Sequence, residues 1–114
     1  MGISLQTQGC GLVYFAQDDL SQLVKIGVTS DRLYTRLQGV KFKFGCNCLS
    51  LLGFIKFYTV REAIMEERRL HKMLFARSVG EEWFSLSPQE VYDCVMIHSS
   101  PAIEEELLRD LDLI

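Results

Sequence analysis

Two short apolar runs near the start of the chain each hold one polar side chain able to do chemistry. Leu12-Val13-Tyr14-Phe15 carries Tyr14, and Leu23-Val24-Lys25-Ile26-Gly27 carries Lys25. A basic segment with Arg32 and Arg36 follows at once. A tyrosine and a lysine on paired strands beside an arginine suit the handling of phosphate. The guanidinium offers a planar, permanently charged fork, the ammonium a point charge, and the phenol a hydroxyl that can orient water. Each residue also has an ordinary reading. Tyr14 would be a core aromatic with a bonded hydroxyl, Arg36 a solvated helix residue, and Lys25 a side chain that snorkels to an edge or pairs with Glu67.

The elements that must position these residues follow from pattern. Residues 12–16 and 23–28 are rich in aliphatic and aromatic side chains and read as strands. The polar Asp18-Asp19-Leu20-Ser21-Gln22 between them is too short for a parallel crossover, so the strands form an antiparallel hairpin. Thr29-Ser30-Asp31 offers N-cap residues for a helix over about 32–39, with Leu33, Leu37 and Val40 on its inner face. Lys41-Phe42-Lys43-Phe44 alternates charge and aromatic, as a short edge strand or an irregular loop would. Residues 50–58 form a third strand. Thr59, with Glu62 three residues on, starts a helix to about Phe75, on which Glu67 and His71 share a face. Trp83-Phe84 is expected to pack on the sheet. Ser87-Pro88-Gln89-Glu90 opens another helix to about Ile97, and Ser99 or Ser100 with Pro101 opens an acidic one over about 100–112. The expected fold is α/β (α+β): a small three-stranded antiparallel sheet flanked by helices, in the order ββαβα, followed by C-terminal helices.

At 114 residues and 48% hydrophobic content, one globular domain over 1–114 is expected, with its core at about 10–97. No apolar run approaches the roughly 20 residues that span a bilayer, and Met1 to Gln8 does not resemble a signal peptide. A cytoplasmic location is therefore expected, without a membrane partner. The net charge of −3 argues against strong nucleic-acid binding, but its distribution does not. Residues 25–77 hold eleven Lys/Arg against four Asp/Glu, while the rest of the chain holds one against eleven. A basic middle between acidic ends can present a polyanion site. The cysteines, Cys10, Cys46, Cys48 and Cys94, form no paired C-x-x-C motifs and read as reduced thiols. Cys46-Asn47-Cys48 invites a zinc reading, but the other possible ligands, Cys10, Cys94, His71 and His98, are scattered along the chain.

The order of motifs is similar to that of a known superfamily. Val13-Tyr14 on one strand is followed by Lys25-Ile26-Gly27 on the next and Arg36-Leu37 on a helix. Then come Glu67 with Leu70-His71 and, last, Gly80-Glu81-Glu82-Trp83-Phe84. Together these resemble the GIY-YIG nuclease superfamily, and more narrowly its branch named after meiotically up-regulated gene 113, which also occurs in phages. The resemblance covers residues 12–84. It matches Tyr14 to the first-motif tyrosine and places Lys25 where a tyrosine is usual, as in the narrower branch. It matches Arg36 to the family arginine, with Arg32 as a possible substitute, and Glu67 to the metal-binding glutamate in preference to Glu66. The family's late asparagine has no clear counterpart.

What the resemblance implies is hydrolysis of DNA phosphodiester bonds with Mg2+ or Mn2+. Magnesium takes one or two protein carboxylates and keeps several waters, so one glutamate is enough. The implied catalytic set is Tyr14, Lys25, Arg36, Glu67 and His71, with Glu67 as metal ligand. Arg32, Lys41, Lys43 and Arg68 are expected to touch nucleic acid. DNA is the expected partner, together with a second copy or a protein partner that adds binding surface. The competing readings are a catalytically degenerate module that binds DNA or a protein without cutting, and a small interaction domain without nucleic acid.

Overall fold

The structure, a computed structural model, describes residues 10–30 and 32–97. The elements run β1 (Gly11–Asp18), β2 (Val24–Thr29), α1 (Leu33–Phe44), β3 (Leu49–Phe57) and α2 (Val60–Met73). A 3-10 turn (Phe75–Arg77), β4 (Ser78–Gly80), β5 (Trp83–Phe84) and α3 (Pro88–Met96) complete the order. The expected acidic helix over 100–112 lies outside the described residues.

β1 is an interior strand, buried along almost its whole length. It pairs antiparallel with β2 on one side and β3 on the other. Period-2 alternation sends Leu12, Tyr14 and Ala16 to one face of the sheet and Val13 and Phe15 to the other. The first face is closed by α1 through Leu33 and Val40, with Leu37 and Phe44 packed alongside. The second is closed by α2 and α3 through Ala63, Leu70, Val91 and Val95. Burying apolar area on both faces at about 25 cal/mol per Å2 is the main stabilising contribution for a sheet so placed.

Three expectations are corrected. The sheet has five strands, in the order β3-β1-β2-β5-β4, and not three. Trp83-Phe84 does not merely pack on the sheet; it is β5, pairing with β2 through Val24↔Phe84 and Lys25↔Trp83. Strands of two and three residues are too short to display an alternating pattern. Second, Lys41-Phe42-Lys43-Phe44 is the last turn of α1 and neither strand nor loop. Leu33, Leu37, Val40 and Phe44 continue the helical period, Phe42 points out at 92% exposed, and Gly45 ends the helix with φ 69°. Nor does α1 start with a side-chain cap: its N-cap is Arg32 in extended backbone, because Thr29 is the buried last residue of β2.

The other two helices start as their sequences dictate. Thr59 Oγ1 accepts the Glu62 N–H at 3.1 Å while Glu62 Oε1 accepts the Thr59 N–H at 3.2 Å. Ser87 and Glu90 form the same reciprocal box on α3, behind Pro88. Arg77 grips the Glu90 carboxylate and so ties the end of the 3-10 turn to the start of α3.

Candidate functional site

The β1–β2 register sets Tyr14 opposite Gly27 and Ala16 opposite Lys25, which places both candidate side chains on the α1 face. Tyr14 does not stand upright from the sheet. A Cβ at residue 27 would lie 2.5 Å from Tyr14 Oη and 2.6 Å from Cζ, so the ring lies across β2 in space that only glycine leaves open. The phenol is 2% exposed. Burial pushes its pKa up to about 12, Arg36 on α1 pulls it down, and Glu82 and Glu67 push it up again. Tyr14 is therefore a neutral phenol at pH 7 in the protein alone.

Lys25 is buried, and its ammonium is clasped by the carboxylate of Glu82, from the turn between β4 and β5. The partner is thus Glu82, and not the Glu67 that the sequence suggested. The Lys25 Nζ also sits 5.7 Å from the centroid of the Phe44 ring, which Lys43 approaches to 5.2 Å from its own side.

From the other face, α2 reaches the outer edge of β2. β5 covers that edge only at residues 24 and 25. Beyond them, Ile26 donates its N–H to the Glu82 carbonyl at 3.1 Å. Its own carbonyl accepts from His71 Nε2 at 3.0 Å. A carbonyl only accepts, so Nε2 donates in this bond, and Nδ1 is the ring nitrogen not engaged by it. The ring meets Phe84 edge-on at 4.9 Å between centroids. One turn earlier, Glu67 is half-buried. Burial first and the Glu82 charge second raise its pKa, while His71, Lys25 and Arg68 oppose the shift.

Tyr14, Lys25, Arg36, Glu67 and His71 thus gather around the outer edge of β2. Glu66, the other register on α2, faces away. It is buried and forks onto Arg69 at 2.8 and 2.6 Å, on the side where Arg69 lies near Cys94 of α3. The four residues expected to touch nucleic acid are dispersed. Arg32 stands at the first end of α1 and Lys41 and Lys43 in its last turn, across the sheet from Arg68 on α2. Of these, Lys43 shares the Phe44 ring with Lys25, and Arg68 acts on Glu67.

Sequence reasoning missed Glu82 and the role of Gly27. Lysine in an apolar strand does announce that a carboxylate must be nearby. The 57 residues between Lys25 and Glu82 hide which one.

A family model described as the T5orf172 domain matches residues 11–98. The chain belongs to the T5orf172 domain family. That domain occurs in phage open reading frames and in proteins associated with GIY-YIG-like and HNH-like nucleases. No curated protein and no solved structure gives a significant match. The T5orf172 match runs from the first residue of β1 to just past α3, so every candidate residue named above lies inside it. Membership is consistent with a nuclease-like module.

Among the described residues, no three His, Cys, Asp or Glu side chains group as a metal cluster. The four cysteines are free thiols. The donor set at the site is one half-buried carboxylate with a second acting on it, in surroundings that hold its pKa up. A carboxylate in that condition gains from a hard cation, and such sets suit Mg2+ or Mn2+ that retains most of its water. No helix among the described residues is long and apolar enough to cross a membrane.

Proposed function

We propose that this T5orf172 domain is a metal-dependent DNA endonuclease of the GIY-YIG type. The observation that carries this reading is the gathering of Tyr14, Lys25, Arg36, Glu67 and His71 at one strand edge from β1, β2, α1 and α2. Glu67 is the residue to hold Mg2+ or Mn2+, which supplies charge neutralisation at the phosphate and the leaving oxygen when bound.

The chain's own residues divide the remaining work. Water attacks phosphorus, the bond from phosphorus to the sugar oxygen breaks, and the water's proton must leave. Arg36, exposed beside Tyr14, forks onto a phosphate oxygen. Lys25, engaged by Glu82, faces the same phosphate. Tyr14 orients the attacking water through its hydroxyl, and Nδ1 of His71 is the proton acceptor, because Nε2–H is fixed on Ile26. Lys43 beside the site and Arg32 and Lys41 along α1 follow the DNA backbone, with Arg68 doing so from α2. A domain this small leaves little surface for reading sequence, so a second copy or a protein partner supplies the rest.

One observation favours a second reading, a module that binds DNA without cutting: Lys25, standing where a tyrosine is usual, is already engaged by Glu82. A plasmid-nicking assay with Mg2+ or Mn2+ separates the two. The nuclease reading expects nicking by the wild type and none by Glu67→Ala, a variant that should still unfold cooperatively. Salt-dependent DNA binding without nicking would establish the module. No salt-dependent binding at all would overturn both.

A further inference from the structure

We propose that Glu82 is a positioning residue that fixes the Lys25 ammonium at the β2 edge, so that Lys25 serves this site as a placed positive charge. The inference rests on the nuclease reading for what that charge does, and on geometry alone for how it is held.

Lys25 has a long, flexible stem and 6% exposure. An ammonium so enclosed needs a counter-charge, and without one it would withdraw toward solvent. Among the described residues, the carboxylates of Glu67 and Glu82 act near it, and of these Glu82 forms the ion pair. That division is useful: Glu82 engages the lysine and leaves Glu67 to a cation. The ammonium carries three donors, so two remain for a phosphate oxygen after Glu82 takes one.

Glu82 is engaged through both its backbone and its side chain. Gly80 pairs with Trp83, which leaves Glu81 and Glu82 as a two-residue turn with φ 49° and 72°. Left-handed backbone is unfavourable for glutamate and persists where neighbouring contacts impose it. At Glu82 those contacts are the N–H of Ile26 on its carbonyl and the ammonium of Lys25 on its carboxylate. Ile26 in turn receives His71. Residue 82 therefore joins two candidate residues, Lys25 through its side chain and His71 through the backbone of Ile26. Replacing only the carboxylate tests the first link and spares the second.

The test is a double-mutant cycle on the full chain with Glu82→Gln, Lys25→Met and the pair, plus Glu82→Asp and Glu81→Gln. Nicking rates and DNA affinity are read alongside thermal unfolding and the NMR signal of the Lys25 ammonium. Glu82→Gln should slow nicking by about tenfold or more in the wild-type background and have no further effect beside Lys25→Met. Glu82→Asp should recover part of the rate, and Glu81→Gln, in the same turn, should keep all of it. The slowly exchanging Lys25 ammonium signal should persist in wild type and Glu81→Gln and vanish in Glu82→Gln. An equal loss from Glu82→Gln in both backgrounds would show a role in the turn alone and overturn the proposal, as would an ammonium signal unchanged by Glu82→Gln. If the wild type does not nick, the nuclease reading fails by itself, and the ammonium signal still decides whether Glu82 positions Lys25.

Discussion

Glu67 carries the clearest conflict between stability and activity. Its carboxyl binds a proton more tightly in the folded protein than the ordinary glutamate value of 4.5. A group whose pKa rises on folding destabilises the fold wherever it is ionised. The penalty is full above the folded pKa and vanishes as pH falls below 4.5. Glu67→Gln should therefore raise Tm at pH 7, and the difference from wild type should close in acid, a trend that thermal unfolding across pH will follow. The same substitution should abolish nicking, as expected of a carboxylate kept for a cation in place of a better-packed neutral side chain. Tyr14 shows the opposite economy: its ring is accommodated by the absent side chain of Gly27, so its position needs no strain in the tyrosine itself.

Among the elements, the β4–β5 hairpin is the one with unfavourable local chemistry. Two-residue turns with positive φ at both central positions favour Asn-Gly, and this one uses Glu81-Glu82. Glu81→Gly should stabilise the protein by roughly 1 kcal/mol, the approximate penalty of a left-handed non-glycine residue. Chemical denaturation would reveal it as a higher midpoint at unchanged slope. Glu82→Gly relieves the same backbone but loses Lys25, so its gain should be smaller or absent. This hairpin also marks where the sequence ceases to be legible. β1, β2, β3, α2 and α3 were readable because each displays a period or a cap: the capping boxes at Thr59 and Ser87 appear as read, and the hairpin register puts Tyr14 and Lys25 on one face. β4 and β5 display neither. Lys41–Phe44 misled because two local patterns overlapped there, a charge–aromatic alternation and the continuing helical spacing of Leu33, Leu37, Val40 and Phe44. Packing of Val40 and Phe44 beneath the sheet decided for the helix.

For the molecule as a whole, the proposed function combined with the charge map restricts how DNA would approach. The basic residues along α1 and those on α2 lie on opposite faces of the sheet, and the β2 edge lies between them. A duplex seated at that edge meets Lys43 beside the Phe44 ring and Arg68 beside Glu67. Lys43→Ala should weaken binding about equally for all sequences and lower the slope of log affinity against log salt by about one, as measured by titration at several salt concentrations. Lys56, on β3 at the far side of the sheet, should leave the slope unchanged when replaced.

The short ladder between β2 and β5 has a consequence in time. Only Val24 and Lys25 are paired to β5, and the next link is the single bond from the Ile26 amide to the Glu82 carbonyl. When the hairpin lifts, that amide loses its acceptor at the moment that Lys25 loses its carboxylate. Deuterium uptake at Ile26 is therefore a clock for the opening of the site. If uptake there is faster than at Phe15 or Ile55 deep in the sheet, the charge at Lys25 is intermittent, and the lifetime of the closed hairpin sets how long the assembled edge is available to a passing phosphate.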